Sequence, residues 1–208
     1  MFIVSSFRLI HNEKTGVPAI VSDEAVPCPL CKGRLFYRNS RLRKLMDLAG
    51  DISKFLLRRF VCERCKKLHT EIPCIIQPYK HYDSETIQGV LDGGEGAKSC
   101  CADDSTIRRW RSDFAKEEAD ITQRLLSVFA AASDEKPPIR ASGQVFHGIR
   151  ALRERWLAFV MALLINHGHK LCTRFAFCPF PSAARVNAKG KLTEGGDKTH
   201  DETIDDSG

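Results

Sequence analysis

Two Cys-x-x-Cys pairs, a basic strand-forming segment between them, and apolar helical stripes after residue 83 predict an α+β fold. The expected architecture is an amino-terminal zinc ribbon, a β-hairpin with two Cys-x-x-Cys knuckles, followed by an all-helical, helix-turn-helix-like region. The knuckles are Cys28-Pro29-Leu30-Cys31 and Cys62-Glu63-Arg64-Cys65. Two thiolates separated by two residues can face one ion, and two such pairs complete the closed tetrahedral sulfur shell of structural Zn(2+). Cys28, Cys31, Cys62 and Cys65 are therefore the metal ligands. His69 is close enough to the second knuckle to replace Cys65, but four cysteines already close the shell.

Taken in order, Met1-Phe2-Ile3-Val4 reads as a short strand, residues 12–16 as a turn and Pro18 to Val21 as a second extended piece. Between the knuckles, Leu35-Phe36-Tyr37-Arg38 and Phe55 to Val61 are rich in strand formers, with Ala49-Gly50-Asp51 as the turn. Gly33 suits a left-handed turn after the first knuckle, and Lys67 holds the matching place after the second. The exit Lys67 to Pro73 continues extended. Ser84 is read as the cap of a short helix with Ile87, Val90 and Leu91 on one face and Gly93-Gly94 at its end. A stronger helix begins at Asp103-Asp104, its stripe running Ile107, Trp110, Phe114, Ile121, Leu125, Phe129. Residues 133–138 read as a linker, residues 144–166 as a second helical block capped by Gly168, and the chain from 187 as a disordered acidic tail. The domains expected are thus 1–82 (strands and ribbon), 83–132 (helix-turn-helix-like), 139–180 (helical block) and 187–208 (tail).

Composition narrows the functional classes. The chain has 208 residues, nine cysteines and a net charge of +6. No secretory leader opens it, so a reducing cytoplasm and metal rather than disulfides are expected. The longest apolar run, Trp156 to Ile165, is too short to span a bilayer, and no membrane association is expected. Between residues 32 and 80, thirteen Lys and Arg face only Asp47, Asp51, Glu63 and Glu71. That imbalance points to a polyanionic partner. Arg38, Arg41, Arg43, Arg58 and Arg59 on the ribbon are the candidate phosphate contacts. Ser105, Thr106, Arg108, Arg109 and Arg111, near the start of the second helix and off its apolar stripe, are the candidate base-reading side chains. His167, His169, Cys172 and Cys178 form a second cluster of metal-ligating types, although their spacing matches no common pattern.

The order of parts resembles the zinc-ribbon and helix-turn-helix front end of insertion-sequence transposases. The similarity rests on the ribbon, Leu57-Arg58-Arg59-Phe60-Val61-Cys62, Lys67-Leu68-His69-Thr70 and Ser105-Thr106-Ile107-Arg108-Arg109-Trp110. The closing Cys172-Thr173-Arg174-Phe175-Ala176-Phe177-Cys178-Pro179 resembles the end of small uncharacterised bacterial proteins that share this front end. The resemblance implies double-stranded DNA binding linked to mobile elements, in a bacterial, nucleoid-associated protein with room for a homodimer. Transposases also need spaced carboxylates holding two divalent ions. Here Glu117, Glu118 and Asp120 cluster on one helix with no strands to hold them, and no nucleophile-base pair is apparent. The sequence therefore predicts a non-catalytic DNA-binding regulator or accessory factor, with a zinc-stabilised adaptor for protein or RNA as the alternative.

Overall fold

The long hairpin between the knuckles is the spine of a six-stranded mixed sheet. The computed structural model describes all residues except 12, 14, 94–98, 133–144 and 180–208. The expected linker and acidic tail thus lie outside the described residues. Strand β4 (Leu35–Met46) pairs antiparallel with β5 (Ile52–Cys62) along its whole length. Both strands run longer than the sequence suggested. Gly50 makes the turn at φ +96. The register slips once, between Tyr37 and Asn39, which leaves Arg38 as a bulge residue turned to solvent.

On its other edge β5 is shared by two strands in tandem. β3 (Ala19–Val21) pairs parallel with Leu56 and Leu57, and β6 (Leu68–Pro73) pairs antiparallel with Arg59 to Val61. β2 (Arg8–Ile10) continues from β3, and β1 (Phe2–Val4) lies parallel to β6. The alternation of β4 and β5 sends Leu45 and Leu57 into the core, while Leu42, Lys44 and Lys54 stay exposed.

The helices follow. α1 (Ser84–Asp92) is capped by Asp83, whose Oδ1 accepts the Thr86 N–H at 2.6 Å; Ser84 itself is the first helical residue. Gly93 ends α1 in the left-handed conformation at φ +74. α2 (Asp104–Ala132) buries Trp110, Phe114, Ile121, Leu125 and Val128 at helical spacing, as its apolar stripe predicts. The expected second helical block is two helices, α3 (Val145–Leu152) and α4 (Trp156–Asn166), separated at Arg153 to Arg155. α4 is apolar almost all round and accordingly lies inside, against β1, α1 and α2.

The expectation of a ribbon followed by an all-helical region is overturned. Leu171–Thr173 (β7) and Ala176–Phe177 (β8) form a second, two-stranded sheet beyond the helices. The strands before the ribbon join its sheet, and the sheet and helices share one core that includes Ile3, Ile20, Leu57, Trp110, Trp156 and Phe175. Residues Met1–Cys178 form one compact unit. The physical reason is that so long a returning strand leaves its outer edge unpaired, and β3 and β6 cover that edge of β5. No helix among the described residues is long and apolar enough to cross a membrane.

Polar anchors tie the last helix to both ends of the core. The Asn166 side chain accepts the Ile3 N–H at 2.9 Å and donates to the Ile3 carbonyl at 2.7 Å. The Trp156 indole donates to the Asp92 carboxylate at 3.0 and 3.1 Å, and the Leu157 N–H donates to Gln88 Oε1 at 3.1 Å.

Candidate metal centre

The hairpin brings its two ends together because Leu35 pairs with Cys62, so each knuckle is the outward turn of one strand end. The two turns repeat one hydrogen-bond pattern. Cys28 N–H donates to the Gly33 carbonyl at 2.9 Å and Lys32 N–H returns to the Cys28 carbonyl at 2.8 Å; Cys62 N–H donates to Lys67 at 3.0 Å and Lys66 N–H returns to Cys62 at 3.0 Å. The left-handed residues are Lys32 (φ +60) and Lys66 (φ +56), one position earlier than the sequence suggested for Gly33 and Lys67. Gly33 serves a different purpose. A Cβ there would stand 2.8 Å from Arg64 Cβ and 3.1 Å from Cys62 Sγ, so the absence of a side chain lets the second knuckle approach the first.

The Sγ atoms of Cys28, Cys31, Cys62 and Cys65 all lie within 4.8 Å of one another. Cys28 and Cys65 are 3.7 Å apart and Cys31 and Cys62 3.4 Å. Four sulfurs held about 2.3 Å from one ion at tetrahedral corners stand about 3.8 Å apart, so the cluster already has nearly the size that a metal ion requires. The four cysteines can hold a metal ion.

Their electrostatics favour a cation as well. The Cys65 N–H, at 3.5 Å, and then the Arg64 N–H draw the Cys62 thiol down to about 7 despite its desolvation. At Cys31 the Gly33 N–H acts in the same sense, but desolvation and the three neighbouring thiols outweigh it and push the thiol up to about 11. Four thiolates this close repel one another, and a divalent ion at their centre removes that repulsion.

His69 is buried behind the site rather than in the place of Cys65. Its Nε2 is 3.4 Å from Cys28 Sγ and its Nδ1 is 3.3 Å from the Met1 amine. Burial first, then the Met1 amine and Lys67, pull its pKa down to about 4, so the ring is neutral. A neutral ring with Nδ1 accepting carries its proton on Nε2, where it can donate to the Cys28 sulfur and fix that ligand's orientation.

The other predicted site residues are divided. Arg38 and Arg41 on the hairpin and Arg108 on α2 are exposed and have no hydrogen-bond or ion-pair partner among the described residues. Arg58 is committed internally: it grips Glu71 with two 2.7 Å bonds and reaches the Ser22 carbonyl at 2.6 Å. Arg59 donates to Asn39 at 2.8 Å, and the Arg43 guanidinium donates to the Lys80 carbonyl. On α2, Arg111 donates to the Val90 carbonyl at 3.1 Å and Arg109 to the Thr106 hydroxyl at 3.2 Å. Ser105 and Thr106 spend their hydroxyls on Asp103, at 2.5 and 3.0 Å. The Ser105 hydroxyl first, then the Thr106 N–H and hydroxyl, hold the Asp103 carboxyl down to about 2.

The second cluster is not a metal site in this structure. Cys172 and Cys178 are joined as a disulfide across the β7–β8 hairpin, which corrects the expectation that all nine cysteines are reduced. His167 Nδ1 is 2.7 Å from the Leu163 carbonyl, and His169 Nδ1 is 3.3 Å from Arg124. Arg124 itself was missed by sequence reading. It is buried inside α2, pairs with Asp120 at 2.6 Å and donates to the Cys178 carbonyl at 3.2 Å, which fastens β8 to the helix. A lone arginine at helical spacing looks solvated, and only the distant partner reveals it.

No curated protein and no solved structure matches this chain. Residues 28–110, which begin at the first cysteine of the metal centre and take in both knuckles, the hairpin and α1, are similar to a family described as a domain of unknown function, DUF6431.

Proposed function

We propose that the protein is a non-catalytic, zinc-stabilised module that binds double-stranded DNA through the basic hairpin. Lys44 and Lys54 stand directly opposite each other on the exposed part of the hairpin, one register step from Arg43 and two from Leu42. Like charges at such positions weaken a sheet by a few tenths of a kcal/mol. A polyanion turns that repulsion into attraction, and this pair carries the reading. Arg38 and Arg41 extend the same cationic hairpin. The start of α2 is adjacent: Cys101 N–H donates to the Leu48 carbonyl at the hairpin tip at 3.3 Å, three residues before the helix begins.

Zinc is the ion the donor set favours, since four thiolates in a closed shell suit a structural zinc site. Four thiolates from Cys28, Cys31, Cys62 and Cys65 leave no open position for water or substrate, which supports a structural rather than a catalytic metal. The similar family adds nothing about mobile elements.

The test has two parts. Metal analysis should find one zinc per chain, lost in Cys28→Ser and Cys62→Ser. Duplex affinity should fall with salt at a log-log slope of about −0.9 per phosphate contacted, and the slope should shrink in Arg41→Ala and Lys44→Ala. Arg108→Ala should cost about 1–3 kcal/mol on a preferred site if α2 reads bases. A flat salt dependence would refute DNA binding. A second reading, an adaptor for RNA, draws on Phe36 and Tyr37, which are 48% and 60% exposed beside Arg38 and offer rings for unpaired bases. Competition between duplex DNA and single-stranded RNA separates the two.

A further inference from the structure

Beside the metal centre a groove of about 420 Å³ opens between the two knuckle turns and the segment that leads from α4 into β7. Pro29 and Leu30 come from the first knuckle, Lys67 and Leu68 follow the second, and Tyr79 and Lys170 complete the rim. Leu30, Leu68 and Tyr79 are 45%, 43% and 52% exposed. Scattered apolar side chains on a surface are ordinary, but three that converge on one concave site mark a place where something apolar is received.

Backbone strain occurs at the same groove. Tyr79 sits at φ +59, a left-handed conformation that costs a bulky residue about 1 kcal/mol or more. Its hydroxyl donates to the Leu171 carbonyl at 3.3 Å, which holds the side chain toward β7. The groove's volume falls within the range of about 300–1,000 Å³ typical of small-molecule sites.

The charge of the rim selects among apolar ligands. Its lining contains two lysines and no carboxylate side chain. The ammonium groups of Lys67 and Lys170 are exposed and have no hydrogen-bond or ion-pair partner among the described residues. We propose that this groove is a binding site for a small apolar carboxylate, its body against Leu30, Leu68 and Tyr79 and its charge taken by the two lysines. Because both knuckle turns supply walls, the ligand binds only when the four-cysteine site is assembled. By linkage, the ligand must then also tighten metal retention.

2-Naphthoate titrated calorimetrically into the metal-loaded full chain tests the assignment, with 2-naphthalenemethanol as the uncharged counterpart. One saturable site is expected, with the alcohol weaker by about tenfold. The Lys67→Ala/Lys170→Ala double variant should lose about the same factor for the acid and nothing for the alcohol, whereas Leu68→Ser should weaken both. All of these side chains are exposed, so the fold tolerates their replacement, and an unchanged urea-unfolding midpoint checks it. Absence of saturable binding up to millimolar acid overturns the proposal. So does equal affinity for the alcohol, or wild-type affinity for the acid in the double variant.

Discussion

Replacing Lys80 with methionine should make the protein more stable at neutral pH. The Lys80 side chain is buried, at 5% exposure, and its Nζ has no hydrogen-bond partner. It lies 4.5 Å from the centre of the Phe175 ring and 5.7 Å from that of Trp110. Burial first, then Arg174 and Arg109, against the opposing pull of Asp113, lower its pKa from 10.5 to about 8. At about 1.4 kcal/mol per unit, holding the charged amine in the folded state at pH 7 costs at most about 3 kcal/mol. The two rings return about 1–2 kcal/mol through cation–π attraction. Methionine keeps a polarizable group against both rings, so Lys80→Met should gain about 1–2 kcal/mol, or about 2–8 °C in midpoint. The sign follows from linkage: the unfolded state holds this proton more tightly, so the amine's penalty is complete below pH 8 and vanishes as pH rises through 10.5. Urea unfolding of both proteins at pH 7 and pH 9.5, compared as a difference so that shared titrations cancel, should show the variant's advantage shrinking with pH. A variant less stable at pH 7, or an advantage that does not change with pH, would refute the reasoning.

Three further outcomes are expected. Gly33→Ala should force the knuckles apart and weaken metal affinity by about tenfold or more, measured by competition with a chromophoric chelator, since its new Cβ would meet Arg64 Cβ at 2.8 Å. Asp92→Ala should destabilise by about 1–3 kcal/mol in chemical unfolding, because it leaves the indole N–H of buried Trp156 without its acceptor. Thiol titration of the denatured, unreduced and metal-free chain should count seven thiols, and replacing Cys172 and Cys178 together by serine should cost about 2 kcal/mol from the short loop they close.

The metal centre was legible because its information is local. Two residues between cysteines, repeated, are enough to pick out the four that cluster, and the alternating strand formers between them are enough to expect a hairpin. The helix stripes of α1 and α2 were legible for the same reason: Trp110 and Phe114 are four apart and buried together. What failed was non-local. β1 and β3 are three-residue strands whose parallel partners lie far along the chain, and so short a segment carries no register information. α3 and α4 separate at Arg153 to Arg155 without a glycine or proline to announce it. Ser105 and Thr106 looked available because a sequence does not show that Asp103 has already taken their hydroxyls. Gly33 was correctly singled out for the wrong reason, since the constraint comes from Arg64 and Cys62 of the second knuckle.

The two-point clasp between Asn166 and Ile3 sets a timetable for synthesis. Both knuckles have left the ribosome once residue 65 is clear, and metal capture can proceed from there. The apolar strand Phe2–Val4 has β6 on one side by residue 73, but α4 covers it only after residue 166 has emerged. A nascent chain halted between those points would carry a finished metal centre beside an uncovered hydrophobic strand, which is a state that aggregates. For this protein, metal content is therefore a poor proxy for completed folding, and protection of the Ile3 amide from hydrogen exchange is the better one.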